Sequence, residues 1–444
     1  MKRFALQHMI ILAVAALLLG TTVSDAQSTM NSTEAGTDAE NVVLQWDRVL
    51  GQTLQIPNAH PGTILPVRNF AMMHLAMFDA VNSIEGDYKP YLTNVRGSRN
   101  ASTKAAAAKA AHDVLAELYP NQRAIFAAEL ANSLEGIPQN RASQGIRVGR
   151  IVAESMLEHR ENDGWSAPWT PYLLPPTPGN WLELFPGPYP GFAVFTNFPG
   201  VTPFAMRSAR QFLPARPPAL SSAEYAASLN EVKQLGSATS STRTADQTLT
   251  AFLWANPPVS DALMFGVARS MAIKRNNSTL QNARLFALVY MAFHDGLQTT
   301  FTSQYHYGLW RPVTAIRRAD EDGNPDTAPD AAWESLLGPA GTPPHPSYAS
   351  NASSASSSLA TTLALFYGRD DIQFRIDFGG SPNVTRNYRS FSALTNEIAR
   401  SRVFGGVHFP FDIAAGQSAG RNVAAYVFLN FLTPRCDSDD DDRN

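Results

Sequence analysis

The sequence predicts an all-α protein made of two packed helical bundles, joined by a long crossover rich in proline and aromatic residues. Apolar residues recur at the helical period in many segments, and no segment keeps the polar–apolar alternation of a β-strand. The 444 residues are 44% hydrophobic, which is enough for a large core. Helices that each bury one apolar stripe against their neighbours are therefore the expected architecture.

Charge and cysteine content exclude several classes of function. The chain carries 35 Lys and Arg against 38 Asp and Glu, a net charge of −3, so it offers no basic surface for nucleic acid. Its single cysteine, Cys436, excludes an internal disulfide framework and a cysteine-based zinc or iron–sulfur site. The expected partner is a small organic substrate or an oxyanion, because of the candidate site residues named below, and a homodimer is left open.

Residues 1–26 have the pattern of a secretory signal peptide. Lys2 and Arg3 precede the apolar run Met9–Leu19, and the small-residue cleavage site Ser24–Ala26 follows it. The run is shorter than the roughly 20 residues that span a bilayer. The sequence thus predicts a protein of the secretory pathway or the exterior, with no membrane anchor after cleavage.

Both ends of the mature chain look unstructured. Residues 27–40 are small and polar, and residues 436–444 are rich in Asp, so both are predicted to be disordered. Asn-x-Ser/Thr sequons, which suit a secreted glycoprotein, begin at Asn31, Asn100, Asn276, Asn277, Asn351 and Asn383.

Between these ends, residues 41–435 are predicted to form a single helical domain. Its first half, residues 41–160, shows a helical period in several segments bounded by capping and breaking residues. The predicted helices of this half begin near Val42 and continue with Leu65–Asn82, Thr103–Tyr119, a helix capped by Asn121 that ends near Gly136, and Arg141–Arg160.

The crossover comprises residues 161–220. Ten prolines and a series of aromatic residues lie between Gly164 and Pro203. Proline at this density excludes a helix interior and a central strand. The crossover is expected to pack on the helices, either as simple cover for the core or as one wall of a pocket.

Helical periodicity resumes in the second half, residues 221–432. The predicted helices of this half are Ser221–Leu235, Thr244–Ala255, Val259–Lys274, Asn282–Thr299, Ala355–Tyr367, Thr395–Arg402 and Pro410–Leu432.

Three segments of the second half carry candidate chemistry: Trp310–Arg317, His345–Ser353 and Ser401–Asp412. Within them, Arg311 and Arg402 supply guanidinium forks that match the geometry of tetrahedral oxyanions. Two buried guanidiniums need an anion, an acidic partner or a polarised substrate oxygen beside them. The residues therefore predict an oxyanion-binding site.

Two further features fit this interpretation. Ser350 is expected at a helix N-cap, where its hydroxyl, free N–H groups and the helix dipole attract an anion. Asp412 lies four residues past His408, so its carboxylate can hold the Nδ1–H of the imidazole and leave Nε2 as a nucleophile or ligand. Asp412 raises the pKa of His408 whereas the arginines lower it, so the sequence leaves the net direction open.

These segments resemble the signature of the vanadium-dependent haloperoxidase and type 2 phosphatidic acid phosphatase superfamily, K-x6-R-P, P-S-G-H and S-R-x5-H-x3-D. The third part of the signature is complete in Ser401, Arg402, His408 and Asp412. The resemblance covers residues 45–432 and is to the secreted or bacterial haloperoxidase-like branch. It implies the paired helical bundles of the vanadium haloperoxidase fold.

The resemblance also implies roles for individual residues. His408 would be the vanadate ligand, or the nucleophile of a phosphatase, and Asp412 its supporting carboxylate. Arg311 and Arg402 would neutralise the oxyanion, and the Ser350 hydroxyl would complete the site. The neighbouring residues that would line the oxyanion or substrate site are Asn351, Gln304, Ser401, His345 and Tyr348.

The other two parts of the signature are degenerate. Arg311-Pro312 is present, but Gln304 stands at the lysine position and cannot carry charge. In Ala349–Ala352 only the serine remains, and Ala352 at the histidine position cannot move a proton. Loss of a positioned acid–base group costs a factor of roughly 10²–10⁴ in rate. His345 and His306 are the nearby histidines that could replace it.

Four functions follow from this pattern. The favoured one is a repurposed enzyme that needs no cofactor and uses acid–base chemistry for a cyclisation, isomerisation or rearrangement of a small organic molecule, as in secondary metabolism. The first alternative is a vanadium haloperoxidase that binds vanadate and oxidises halide with hydrogen peroxide. The others are a non-catalytic binding protein and an acid phosphatase.

Overall fold

The computed structural model describes residues 41–57, 59, 66–95, 99–184, 187–255, 257–378 and 384–435, with the side chains of 257–265 excepted. The predicted signal peptide, the predicted disordered ends, Cys436 and the sequons at Asn31 and Asn383 lie outside these residues.

Helices dominate the described part of the chain, as the sequence predicts. The helices are α1 (Val42–Thr53), α2 (Pro66–Glu85), α3 (Thr103–Leu118), α4 (Arg123–Leu134), α5 (Gln139–Arg160), α6 (Ala223–Leu235), α7 (Ala245–Leu253), α8 (Pro257–Lys274), α9 (Thr279–Tyr307), α10 (Pro312–Arg317), α11 (Asn351–Tyr367), α12 (Phe391–Phe404) and α13 (Pro410–Asn430). None of them, within the described residues, combines the length and apolarity needed to cross a membrane.

One antiparallel hairpin accompanies the helices in the described residues. Its strands are β1 (Phe374–Asp377) and β2 (Thr385–Tyr388), with Phe374 opposite Tyr388. The sequence analysis did not anticipate this hairpin, because four-residue strands are too short to show a sustained alternation.

The chain divides into two compact units. The first comprises Asn31–Asp163, Phe265–His294 and Ala425–Asn444. Its core is formed by α2, α3 and α5, and α3 and α5 approach closely because Gly145 and Gly149 of α5 face the backbone of α3.

The second unit comprises Gly164–Met264 and Asp295–Ala424, and it holds every candidate site residue. Its apolar core surrounds the fully buried Trp310 and includes Tyr225, Phe409 and Phe411. The crossover belongs to this unit.

Helices α2 and α9 each carry a buried aspartate that accepts hydrogen bonds from three consecutive backbone N–H groups of a distant segment. Asp79 of α2 accepts hydrogen bonds from three consecutive backbone N–H groups, Tyr91–Thr93, and Asp295 of α9 accepts three from Phe204–Met206. Each aspartate follows a similar pattern, Phe-Ala-x4-Ala-x2-Asp. In both places a buried carboxylate anchors an irregular segment.

Several predicted helix boundaries are wrong. Helix α12 begins at Phe391, four residues before the predicted Thr395. Helix α9 continues eight residues beyond Thr299, and buried hydroxyls there, such as Thr302 Oγ1, are satisfied within the helix by the carbonyl four residues back. Helix α11 begins at Asn351. Asn121 lies in a 3-10 turn, Pro120–Gln122, and does not cap α4.

Candidate active site

His408 and Asp412 form the centre of the candidate site. The glycine pair after α12 includes Gly406, whose φ of 78° favours glycine, and this turn carries the chain to His408. Nδ1 of His408 lies 3.0 Å from Oδ2 of Asp412. The same oxygen accepts hydrogen bonds from Ser347 Oγ at 2.5 Å and from the Phe409 N–H at 3.0 Å. The carboxylate therefore holds the imidazole in one orientation.

Arg311 lies against the other side of His408. It is fully buried, and its Nη1 is 3.2 Å from Nε2 of His408. Arg311 also donates from Nη1 to the Val407 carbonyl and from Nε to the His345 carbonyl, at 2.9 and 2.8 Å. Because a guanidinium only donates, Nε2 of His408 must be unprotonated, and the imidazole proton must sit on Nδ1, facing Asp412.

Burial and charge determine the protonation of this group. Burial, followed by the charges of Arg311 and Arg402, lowers the pKa of His408 well below 6.5. Burial also raises the pKa of the Asp412 carboxyl to about 7 and lowers the pKa of Arg311 to about 9. The direction that the sequence left open for His408 is thus downward, and the imidazole is neutral at pH 7.

His345 is a second buried histidine beside Arg311. Its Nδ1 lies 3.1 Å from Arg311 Nη2 and 3.1 Å from the Pro346 carbonyl oxygen. One neutral tautomer accepts from the arginine, and the other donates to the carbonyl. Burial, together with the charges of Arg311 and His408, lowers the pKa of His345 well below 6.5.

The crossover helps to bury His345. The Val194 N–H donates to the Pro344 carbonyl at 3.2 Å. The ring of Phe195 packs 5.3 Å from that of Phe301, which in turn packs 5.2 Å from the His345 ring. The crossover and its aromatic residues therefore exclude water from one side of the candidate site.

Ser350 caps α11, as the sequence predicts. Its Oγ accepts from the Ser353 N–H at 3.4 Å and from Ser353 Oγ at 3.0 Å. Its own N–H donates to the main-chain oxygen of Asp412 at 3.0 Å. These bonds place the start of α11 beside the His408–Asp412 pair.

Gln304, at the lysine position, lies at the same helix start. Its Nε2 donates to the Ala349 carbonyl at 2.7 Å and to Oδ1 of Asn351 at 3.0 Å. Gln304 is fully buried, and within the described residues its Oε1 has no hydrogen-bond partner. A neutral amide pair thus occupies the place where a lysine and a glycine are expected.

Two predicted site residues bond elsewhere. The hydroxyl of Ser401 donates to the Ile398 carbonyl at 2.6 Å, within its own helix. The hydroxyl of Tyr348 donates to the Ala215 carbonyl at 2.7 Å, in the crossover. Neither of these hydrogen bonds involves His408. That Ser401 and Tyr348 line the oxyanion site therefore stays a prediction.

The two buried guanidiniums have neutral groups as hydrogen-bond acceptors. Nη1 of Arg402 donates to the Trp254 carbonyl at 2.9 Å, and Arg311 has carbonyls and imidazoles as its bonded partners. The charge of Asp412 also acts on Arg311 and opposes the lowering of its pKa by burial, and the expected anion between the two arginines stays a prediction. Burial lowers the pKa of Arg402 to about 10.

Ser347 is the residue that sequence reasoning missed. It lies between His345 and Ser350 in the chain, and its role became visible only through the contact with Asp412. His306, named as a source of protons, is exposed and lies 3.4 Å from Arg210. Nothing in these contacts connects it to the site.

Comparison with known proteins supports the class to which this fold belongs. The family model described as the VCPO second helical-bundle domain matches residues 284–433. No curated protein matches the sequence. This part of the chain belongs to the haloperoxidase-like superfamily, and the chain has the helical vanadium haloperoxidase fold.

Solved structures with the same fold are bacterial. A vanadium-dependent iodoperoxidase is similar at a TM-score of 0.71 with 22% identity, over 89% of this chain and 97% of its own. A holo-type vanadium-dependent chloroperoxidase gives a TM-score of 0.69 with 17% identity, over 89% and 98%. An apo-type bacterial vanadium-dependent chloroperoxidase gives a TM-score of 0.65 with 17% identity, over 84% of this chain and 95% of its own.

The residues present depart from a vanadate site in part. A tetrahedral oxyanion needs hydrogen-bond donors around its oxygens. Here Arg311 has its Nε and Nη1 donors engaged by the protein, and it bonds to the His408 nitrogen that would be the ligand. Within the described residues, Gln304 contributes an unpartnered acceptor in place of a positive charge. His408, Arg311 and Arg402 are the residues that would hold vanadate if it binds.

Proposed function

We propose that this chain is a secreted enzyme that uses the haloperoxidase-type site without vanadate, for acid–base chemistry on a small organic molecule. The reaction class is a cyclisation, isomerisation or rearrangement. The observation that carries the proposal is the neutral His408 held between Asp412 and Arg311, beside a site that has lost its charged lysine.

His408 acts as the base. Above pH 6.5 its imidazole is neutral, and the Nε2 lone pair becomes available once a substrate oxygen displaces it as the acceptor of the Arg311 hydrogen bond. The imidazolium that forms is stabilised by the Asp412 carboxylate at Nδ1.

The remaining residues stabilise the charge that develops, and the His408 imidazolium returns the proton to the substrate. Arg311 and Arg402 supply positive charge for the negative charge that develops on the substrate oxygen in a site with little water. In its neutral tautomer that accepts from Arg311, His345 keeps one ring N–H as a hydrogen-bond donor for the substrate.

Vanadate titration followed by a bromide oxidation assay tests this proposal. The wild-type protein should show no saturable orthovanadate binding by ⁵¹V NMR and no oxidation of bromide with hydrogen peroxide. The triple variant Gln304→Lys, Asn351→Gly, Ala352→His, which restores the signature, should gain vanadate binding. Vanadate-dependent bromide oxidation by the wild-type protein would contradict the proposal.

That outcome would support the second candidate, a vanadium-dependent haloperoxidase. The similar solved structures named above are enzymes of that kind, and the His408–Asp412 contact has the arrangement that a ligating histidine needs. This candidate requires Arg311 to leave Nε2 of His408 when vanadate enters.

A further inference from the structure

The amide pair Gln304–Asn351 has a defined hydrogen-bond polarity. Nε2 of Gln304 lies between two acceptors, the Ala349 carbonyl and Oδ1 of Asn351. Turning the Gln304 amide around would place its oxygen against the Ala349 carbonyl, so the orientation is determined. Oε1 of Gln304 is therefore an acceptor, fully buried and without a partner among the described residues.

A second unpartnered acceptor lies at the same helix start. Oδ1 of Asp412 is buried and has no partner among the described residues, whereas Oδ2 accepts several bonds. The Ser350 N–H on the Asp412 carbonyl keeps this residue at the N-terminus of α11, next to Asn351. Buried acceptors without donors are costly, so a ligand that donates hydrogen bonds is favoured here.

Charge and access narrow the class of ligand. The positive charges of Arg311 and Arg402 disfavour a cationic donor such as an ammonium group. The absence of a lysine at position 304 weakens the attraction for a tetrahedral oxyanion. Asn351 and Ala352 are partly exposed, whereas Gln304 is fully buried, so a ligand reaches the pair from the Asn351 side.

We infer that the Gln304–Asn351 pair is a specificity-determining element that binds a hydroxyl group of an uncharged substrate and discriminates against phosphate-like anions. The inference rests on the proposed function, since it assigns the substrate class of the same site. The substrate hydroxyl donates to Oε1 of Gln304, and the Nδ2 group of Asn351 remains as a donor to its oxygen.

Two probes that differ only in the polar group test this inference: benzyl alcohol and benzyl phosphate. Their dissociation constants are measured by ligand-observed NMR on the wild-type protein, which should bind the alcohol more tightly. Gln304→Met keeps the side-chain volume but removes the acceptor, so it should raise the dissociation constant of benzyl alcohol about fivefold. The double variant Gln304→Lys, Asn351→Gly should lower the dissociation constant of benzyl phosphate about tenfold.

Gln417 provides a matched control. Its Nε2 donates to Oδ1 of Asn396 at 3.1 Å, the same bond type on the surface, so Gln417→Met should change neither constant. If Gln304→Met does not fold, Asn351→Gly alone should still reduce the preference for the alcohol, because it releases the Gln304 amide.

Several results would overturn the inference. These are tighter binding of benzyl phosphate by the wild-type protein, unchanged binding of the alcohol by Gln304→Met, and binding of neither probe up to about 10 mM, the weak end of specific affinity. If one of these results is obtained and the wild-type protein does not oxidise bromide, only the inference about the Gln304–Asn351 pair fails. The proposal of acid–base chemistry is then not contradicted. Failure of that proposal is recognised separately, by vanadate-dependent turnover.

Discussion

At the scale of single residues, Arg311 determines the chemistry of the candidate site. It is the only residue of the described chain with hydrogen bonds to both His345 and His408, and its charge lowers the pKa of each. Burial has the larger effect on both histidines. The result is two neutral imidazoles on either side of one cation, and the cation weakens both imidazoles as bases.

Removing this cation should restore the basicity of His408. In Arg311→Met the pKa of His408 is expected to rise, because a nearby positive charge disfavours the imidazolium. The pKa is read from the pH titration of the His408 ring signals by NMR. Arg210→Met, at an exposed arginine, is the control and should leave the titration unchanged. An unchanged pKa of His408 in Arg311→Met would show that the charge of Arg311 does not lower this pKa.

At the scale of elements, helices α11 and α13 meet with almost no side chain between them. A Cβ atom added at Gly416 would lie 2.3 Å from the Ser350 oxygen, and one at Gly420 would lie 2.2 Å from the Ser354 oxygen. Glycines at four-residue spacing on α13 thus allow the start of α11, with Ser350 as its cap, to lie next to Asp412.

A methyl group at this contact should separate the two helices. Gly420→Ala is expected to lower the free energy of unfolding by about 1–3 kcal/mol, the usual cost of overpacking. Gly51→Ala is the control, since nothing lies within 4 Å of that position in α1, and it should stabilise by up to about 1 kcal/mol through helix propensity. Urea denaturation measures the free energy of unfolding of both variants. Equal changes in Gly420→Ala and Gly51→Ala would contradict the close contact of α11 and α13.

At the scale of the whole molecule, buried neutral histidines make stability depend on pH. In the first unit, Nε2 of His74 lies 3.1 Å from Oδ1 of Asp47, to which Tyr290 also donates, at 2.7 Å. Burial lowers the pKa of His74 below 6.5 despite this carboxylate. The folded protein thus binds fewer protons than the unfolded chain, and stability is lost as the pH falls below 6.5.

Replacing this histidine should reduce that dependence. In His74→Gln the slope of unfolding free energy against pH, between pH 6.5 and the lowered pKa, should fall by up to about 1.4 kcal/mol per pH unit, the value for one proton. Chemical denaturation at a series of pH values gives the slope. His306→Gln, at an exposed histidine, should retain the wild-type slope. A retained slope in His74→Gln would show that His74 does not take up the proton.

The sequence alone determined those features that depend on neighbours a few residues apart. The helical period predicted the all-α class, and the serine hydroxyl before α11 predicted its cap. The four-residue spacing of His408 and Asp412 predicted their contact, because His408 lies just before α13 and Asp412 lies in its first turn. The signature residues likewise predicted the haloperoxidase-like superfamily.

Only the tertiary structure decided what lies between distant segments. The bond from Gln304 to Asn351, the contact of Arg311 with two histidines and the role of Ser347 each join residues far apart in the chain. The direction of the His408 pKa depended on the same information, since desolvation and the charge of Arg311 act through space. Local patterns specify helices and caps, whereas burial and charge are properties of the packed molecule.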